Sequence, residues 1–133
     1  MIAKSFADTN IILYSIGQDS EKRNISREII KSRPVISTQV VNESINVCLR
    51  KLGFEREKAY EFAESIMSYT EVVPVDEAIV RRSANIAIRY KLSNWDALII
   101  AAALQSGCEI LYTEDLQHEM IINNSLKIIN PFV

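Results

Sequence analysis

The feature that most constrains the fold is an uninterrupted apolar run from Ala97 to Leu104. A surface helix carries polar residues every three or four positions, so a helix that is apolar on all sides is predicted to be buried. One carboxylate, Asp96, precedes this run, and a carboxylate in apolar surroundings is costly unless something pairs with it. Two explanations are open. Ser93-x-x-Asp96 has the form of a helix-capping box, which this stretch alone favours, and the alternative is that Asp96 is a metal ligand at the mouth of a cleft.

Length and composition predict one soluble domain over residues 1–133. The chain is 48% hydrophobic and 24% charged with a net charge of −2, which suits a single core and does not by itself indicate nucleic-acid binding. No apolar run approaches the ~20 residues of a membrane span, and no signal peptide is recognisable, so we expect no membrane association. Cys48 and Cys108 are far apart in apolar segments and are interpreted as reduced core residues of a cytoplasmic protein.

Short extended segments alternate with helical segments along the chain. Strands are predicted at residues 2–7, 35–37, 72–75, 109–112 and 126–129. Helices are predicted at residues 11–16, 21–31, 38–52, 55–69, 76–90 and 96–106. This alternation predicts a three-layer α/β/α domain with a short, mostly parallel central sheet.

Residue spacing predicts which helix faces meet the core. In the helix over 38–52 the core stripe lies within about 60° of arc and consists of Val41, Ile45, Cys48 and Leu52. Glu43 lies nearly opposite that stripe. In the helix over 76–90 the inward residues are predicted to be Ile79, Val80, Ala87 and Tyr90.

Acidic residues follow the predicted strands at positions where parallel sheets bind ligands. Asp8 follows the first strand, Asp115 comes shortly after the strand over 109–112, and Glu43 lies one turn into the helix after the second strand. If these carboxylates and Asp96 converge, they cannot all stay ionised without cations. Hard divalent ions such as Mg²⁺ or Mn²⁺ are the natural partners, whereas the single histidine, His118, does not make a metal site.

Each acidic residue also has a purely structural explanation. Asp8 suits the N-cap of the helix that follows it, and Asp115 suits a turn cap. Glu43 is also compatible with a solvated helix face. The functional interpretation is therefore a joint one, because it depends on the topology bringing these residues together.

Four segments, in this order, resemble the four acidic blocks of the PIN domain family. They are Asp8-Thr9-Asn10, the segment from Ser37 to Glu43, the segment from Ser93 to Ala101, and the segment from Thr113 to His118. Asn130-Pro131-Phe132 resembles the family's C-terminal ending, so the resemblance covers essentially the whole chain. A stand-alone chain this short resembles the VapC-type toxins of toxin–antitoxin pairs. The chain departs from the family at Glu119, where close relatives often have glycine, and this concerns only the loop after Asp115.

The resemblance implies a Mg²⁺- or Mn²⁺-dependent endoribonuclease that hydrolyses RNA phosphodiester bonds. It carries over as catalytic metal ligands Asp8, Glu43, Asp96 and Asp115, with Asn10 and Thr113 as polar supports. Glu114 is easily confused with the fourth ligand, but the family's carboxylate is the second residue after the threonine. The resemblance also implies a homodimer and a small antitoxin that blocks the acidic cleft.

Two other functions remain open from the residues alone. One is a catalytically silent PIN-fold module that binds a partner, and the other is a metal-dependent phosphatase acting on a small phosphoester. RNA affinity is expected to come from basic residues that contact phosphates. Six are available without any being singled out, namely Arg50, Lys51, Arg81, Arg82, Arg89 and Lys91.

Overall fold

A six-stranded, mostly parallel sheet lies at the centre of the protein, as the computed structural model shows for residues 3–133. The strands are β1 (Ser5–Ala7), β2 (Val35–Ser37), β3 (Glu71–Val73), β4 (Ile110–Tyr112), β5 (Ile121–Ile122) and β6 (Leu126–Ile129). The helices are α1 (Thr9–Tyr14), α2 (Ser20–Lys31), α3 (Thr38–Arg50), α4 (Arg56–Tyr69), α5 (Glu77–Tyr90) and α6 (Asn94–Gln105). The predicted α/β architecture is confirmed, and Ile2 of the predicted first strand lies outside the described residues.

The strand order β3-β2-β1-β4-β6-β5 places β1 between β2 and β4. All the pairings are parallel except that of β5 with β6. From β1 the chain continues to β2 on one side, and from β4 it continues to β6 on the other. The carboxyl ends of β1 and β4 therefore flank a topological switch point, where open α/β sheets form ligand-binding crevices.

Helix α6 is the buried helix that the apolar run predicts. All seven side chains from Ala97 to Ala103 are buried, and each fully buried Leu or Ile contributes roughly 1.5–3 kcal/mol relative to an exposed one. The hydroxyl of Ser93 caps the helix by accepting the backbone N–H of Asp96 at 3.2 Å. The helix ends before Gly107, whose φ of 73° is the left-handed conformation that glycine adopts without strain.

Two predicted core residues are exposed instead. Leu52 is 48% exposed because α3 ends at Arg50, so the helical spacing that placed Leu52 on the core stripe no longer applies there. Val80 is 51% exposed because the buried stripe of α5 is narrower than predicted. That stripe consists of Ile79, Ser83 and Ile86.

The short strand β5 was not predicted from the sequence. Its two residues pair with β6 across a turn in which Asn123 and Asn124 have φ of 50° and 57°. Asparagine tolerates this left-handed region better than most residues. A two-residue strand is too short to show the alternation that identifies strands in a sequence.

The helices of residues 3–133 include none that is both long and apolar enough to cross a membrane.

Candidate functional site

One cleft of about 420 Å³ lies at the carboxyl ends of β1 and β4. The structure brings together in it all four of the carboxylates that the sequence analysis singled out, together with Asn10. We call it the acidic cleft, and its lining consists of Asp8, Thr9, Asn10, Gln39, Glu43, Val47, Lys51, Trp95, Asp96, Ile99 and Asp115.

Asp8 is the most deeply buried of these carboxylates, with 8% of its surface exposed. It caps α1, and its Oδ1 accepts the backbone N–H of Thr9 at 2.6 Å. The pKa of Asp8 is raised to about 6, mainly by burial and to a smaller extent by the charges of Asp115 and Glu43, although its hydrogen bonds with Thr113 and Thr9 lower it. The capping explanation therefore holds for Asp8, but it does not account for a buried acid facing two others.

Thr113 joins the ends of β1 and β4. Its buried hydroxyl donates to Asp8 Oδ2 at 2.8 Å and accepts the backbone N–H of Asp115 at 3.1 Å. The strand register makes this possible, since Ala7 pairs with Tyr112 and the Asp8 N–H donates to the Tyr112 carbonyl at 3.1 Å. Thr113 thus holds Asp8 and the Asp115 backbone in fixed relative positions.

Glu43 is held from two sides at the wall of the cleft. Its Oε2 accepts the hydroxyl of Thr9 at 3.2 Å, and its Oε1 accepts the side-chain amide of Gln39 at 2.9 Å. The same amide lies 3.5 Å from the carbonyl of Trp95 and so links α3 to α6. The sequence analysis did not identify Gln39 as a site residue. Its position four residues before Glu43, which puts both on one helix face, was the available signal.

Asp96 forms only half of the predicted capping box. Its backbone N–H is capped by Ser93, but within residues 3–133 its carboxylate accepts no hydrogen bond in return. The carboxylate lines the acidic cleft instead. Partial desolvation is the main cause that raises the pKa of Asp115, and the negative charge of Asp96 is the next.

Glu114 and Asp115, which are adjacent in sequence, have different surroundings. The Glu114 carboxylate accepts the hydroxyl of Tyr14, and its Oε2 lies 3.2 Å from the ammonium of Lys22. The rings of Tyr14 and Phe132 meet edge to face with centroids 5.2 Å apart. Glu114 is therefore held outside the cleft lining, whereas Asp115 belongs to it.

The C-terminal segment reinforces the loop that carries these two acids. The backbone N–H of Asn130 donates to Nδ1 of His118 at 3.0 Å, and the Asn130 side chain accepts the N–H of Phe132 at 3.0 Å. Glu119, the departure from the family pattern that the sequence analysis identified, has a φ of 70°. The loop thus keeps a conformation suited to glycine although the residue is glutamate.

The side chains of the acidic cleft have the oxygen donors that a hard divalent cation prefers, but they are not yet close enough together to hold one. Across residues 3–133, no three His, Cys, Asp or Glu side chains are close enough together to hold a metal ion as they stand. The acidic groups of the cleft are all carboxylates, which Mg²⁺ and Mn²⁺ prefer. The pKa values of Asp8 and Asp115 are raised mainly by desolvation and additionally by neighbouring carboxylates, and a bound divalent cation would favour the ionised forms of both groups.

Comparisons with known proteins agree with this architecture. The sequence profile of the PIN domain family matches residues 5–121. A chain of a toxin–antitoxin complex from Klebsiella pneumoniae is 22% identical with a TM-score of 0.69, covering 96% of this chain and 98% of that one. A chain of FitAcB from Neisseria gonorrhoeae is also 22% identical, with a TM-score of 0.71. That match covers 96% of this chain and 98% of the other.

A third similar structure is VapC20 from Mycobacterium tuberculosis, described as a sarcin-ricin loop cleaving toxin. It is 18% identical with a TM-score of 0.68, and the match covers 84% of this chain and 90% of that one. Among curated proteins, no sequence gives a significant match. At these identities the structural matches establish a common fold over nearly the whole chain.

Proposed function

This chain belongs to the PIN domain family, and from that premise we propose that it is a Mg²⁺- or Mn²⁺-dependent endoribonuclease of the VapC toxin type. The observation that carries the proposal is the convergence of Asp8, Glu43, Asp96 and Asp115 on one cleft at the switch point of the sheet. The burial that raises the pKa of Asp8 to about 6 supports it, because perturbed carboxylates gathered in a cleft are typical of functional sites.

Two of the four proposed ligand residues, Asp8 and Glu43, have carboxylates that hydrogen bonds hold before any ion binds. Asp8, Asp96 and Asp115 would hold a first divalent ion, and Thr113 fixes the orientation of Asp8 by donating to its Oδ2. Glu43 is placed either to hold a second ion or to orient a water molecule. When bound, a divalent cation lowers the pKa of a coordinated water molecule and stabilises the negative charge that develops on phosphate oxygens.

Other residues of this chain would contribute by orienting the Glu43 carboxylate and by keeping the Glu114 carboxylate away from the site. Thr9 and Gln39 fix the two oxygens of Glu43, so that this side chain does not need to be ordered when substrate arrives. Glu114 is retained by Tyr14 and Lys22, which keeps its charge from competing with Asp115 for an ion.

We also propose RNA as the substrate and a small cognate antitoxin as a partner that covers the acidic cleft. The likeness of this chain to chains from toxin–antitoxin complexes supports the antitoxin. A homodimer and a cytoplasmic location complete the proposal. Sedimentation of the purified protein tests the dimer, and co-purification with the product of an adjacent small gene tests the antitoxin.

The central experiment is RNA cleavage by the wild type, Asp96→Asn and the control Glu77→Gln. Glu77 is also an acid in the first turn of a helix, but it is exposed and paired with Arg81 at 2.7 Å. We expect cleavage with Mg²⁺ or Mn²⁺ that EDTA abolishes, a loss of at least about tenfold in Asp96→Asn, and full activity in Glu77→Gln.

Other outcomes would favour the alternatives. Hydrolysis of a small phosphoester with which RNA does not compete would indicate a phosphatase. Absence of any metal-dependent hydrolysis, together with tight binding of a protein partner, would indicate a silent binding module.

A further inference from the structure

We propose that Lys51 forms a subsite for an RNA backbone phosphate a few nucleotides away from the one being cut. This inference rests on the proposed ribonuclease function and extends it by assigning one substrate contact outside the carboxylate cluster. It also distinguishes Lys51 from the other basic residues, none of which the sequence alone identifies as a substrate contact.

Lys51 is the one Lys or Arg in the lining of the acidic cleft among residues 3–133. Glu43, Val47 and Lys51 follow one another at intervals of four, so they share one face of α3 and its C-terminal turn. All three line the cleft. This face therefore leads from a proposed metal ligand, past an apolar side chain, to a positive charge.

Lys51 is free to meet an anion. Its side chain is exposed, and no carboxylate of residues 3–133 lies within ion-pair distance of its ammonium group. Three of the other available basic residues are already engaged. Arg81 pairs with Glu77, Arg82 donates to Gln105, and Arg89 donates to Asn123.

The spacing along α3 indicates which phosphate Lys51 would meet. Eight residues of α-helix span about 12 Å along the axis, and this is the separation of Lys51 from Glu43 in that direction. Successive phosphates of a stacked strand are about 3.4 Å apart along its axis. With the strand running along α3, Lys51 would thus meet a phosphate about three or four nucleotides away from the reacting one.

The ordinary explanation for Lys51 is a favourable charge at a helix C-terminus, since it is the C-cap residue of α3. Arg50 shares that explanation, because it is the last residue of α3 and is also exposed. It does not line the acidic cleft. Arg50→Ala is therefore a matched control that removes the same charge from the same helix end.

The test is binding of a fluorescently labelled, random-sequence single-stranded RNA in Mg²⁺, measured by anisotropy at several salt concentrations. The protein is the full chain carrying Asp96→Asn to suppress cleavage, alone or with Lys51→Ala, Lys51→Arg or Arg50→Ala. Loss of one phosphate contact to a single strand lowers the slope of log Kobs against log salt by about 0.7. We expect that change for Lys51→Ala only, with the slope restored in Lys51→Arg.

Cleavage kinetics give a second readout in an otherwise wild-type background. A contact to a phosphate away from the reacting one, equally strong in the ground and transition states, predicts a raised KM with kcat nearly unchanged in Lys51→Ala. Equal slopes for Lys51→Ala and Arg50→Ala, in a protein that binds and cleaves RNA, would overturn the subsite and leave the proposed function intact. If the wild type neither binds nor cleaves RNA, the proposed function fails and the subsite fails with it.

Discussion

Replacing Asp8 with asparagine should stabilise the metal-free protein at neutral pH. Burial raises the pKa of Asp8 from its ordinary value of 3.8 to about 6, so ionising this group costs the folded state about 3 kcal/mol relative to the unfolded chain. Asparagine carries no charge and serves as well as aspartate at a helix N-cap. It weakens the hydrogen bond from Thr113 by about 1 kcal/mol, which leaves a net gain of about 2 kcal/mol.

The sign of the pH dependence follows from proton binding. Between pH 3.8 and about 6 the folded protein binds more protons at Asp8 than the unfolded chain does, so wild-type stability falls as pH rises through this window. The two proteins should be equally stable, apart from the weakened hydrogen bond, near about pH 4. Above about pH 7 the gain of the variant corresponds to about 7 °C in Tm for a chain of this length.

A divalent metal ion should make the wild type the more stable of the two proteins. A ligand that binds only the folded state adds about 2.7 kcal/mol at 100 times its Kd, so Mn²⁺ should raise the Tm of the wild type and have little effect on Asp8→Asn. The assay is thermal unfolding followed by circular dichroism across pH, with EDTA or with increasing Mn²⁺. Asp19→Asn is the control, since Asp19 also caps a helix but is exposed.

Two results would refute the reasoning for Asp8. One is an Asp8→Asn protein that is less stable than the wild type at neutral pH without metal, which would make the carboxylate a net stabilising cap. The other is a stability difference that does not change between about pH 4 and about pH 7.

Three further predictions concern the surroundings of the cleft. Tyr14→Phe keeps the ring packed on Phe132 but removes the hydroxyl that donates to Glu114, so urea unfolding should show a loss of about 1 to 2 kcal/mol, and an unchanged midpoint would contradict this. Glu119→Gly should raise the free energy of unfolding by up to about 1 kcal/mol, because glycine adopts the φ of 70° without strain, whereas a lower value would show that the glutamate side chain stabilises the loop. Burial raises the pKa of the Cys108 thiol to about 11, so at mildly alkaline pH a thiol reagent should label Cys108 only when the protein unfolds, and rapid labelling of the native protein would exclude a fixed core position.

The sequence alone determined the layered architecture and the elements that carry the carboxylates. The apolar run predicted the buried helix α6, which the structure confirms, because a helix without a polar face has no other stable location. The alternation of short strands and helices predicted the parallel sheet. Because the carboxyl ends of parallel strands lie at one edge of the sheet, this pattern also predicted that Asp8 and Asp115 would lie in one cleft.

Only the tertiary structure decided the burial, the hydrogen-bond partners and the electrostatic environment of each of these residues. The raised pKa of Asp8, the hydrogen bond from the Thr9 hydroxyl to Glu43, and the contacts that hold Glu114 outside the cleft all involve elements or turns that meet only on folding. The exposure of Leu52 depends on where α3 ends. Burial and charge interactions act through space, whereas periodicity and strand-end position act along the chain, and the local sequence therefore specifies the elements but not the environment of each side chain.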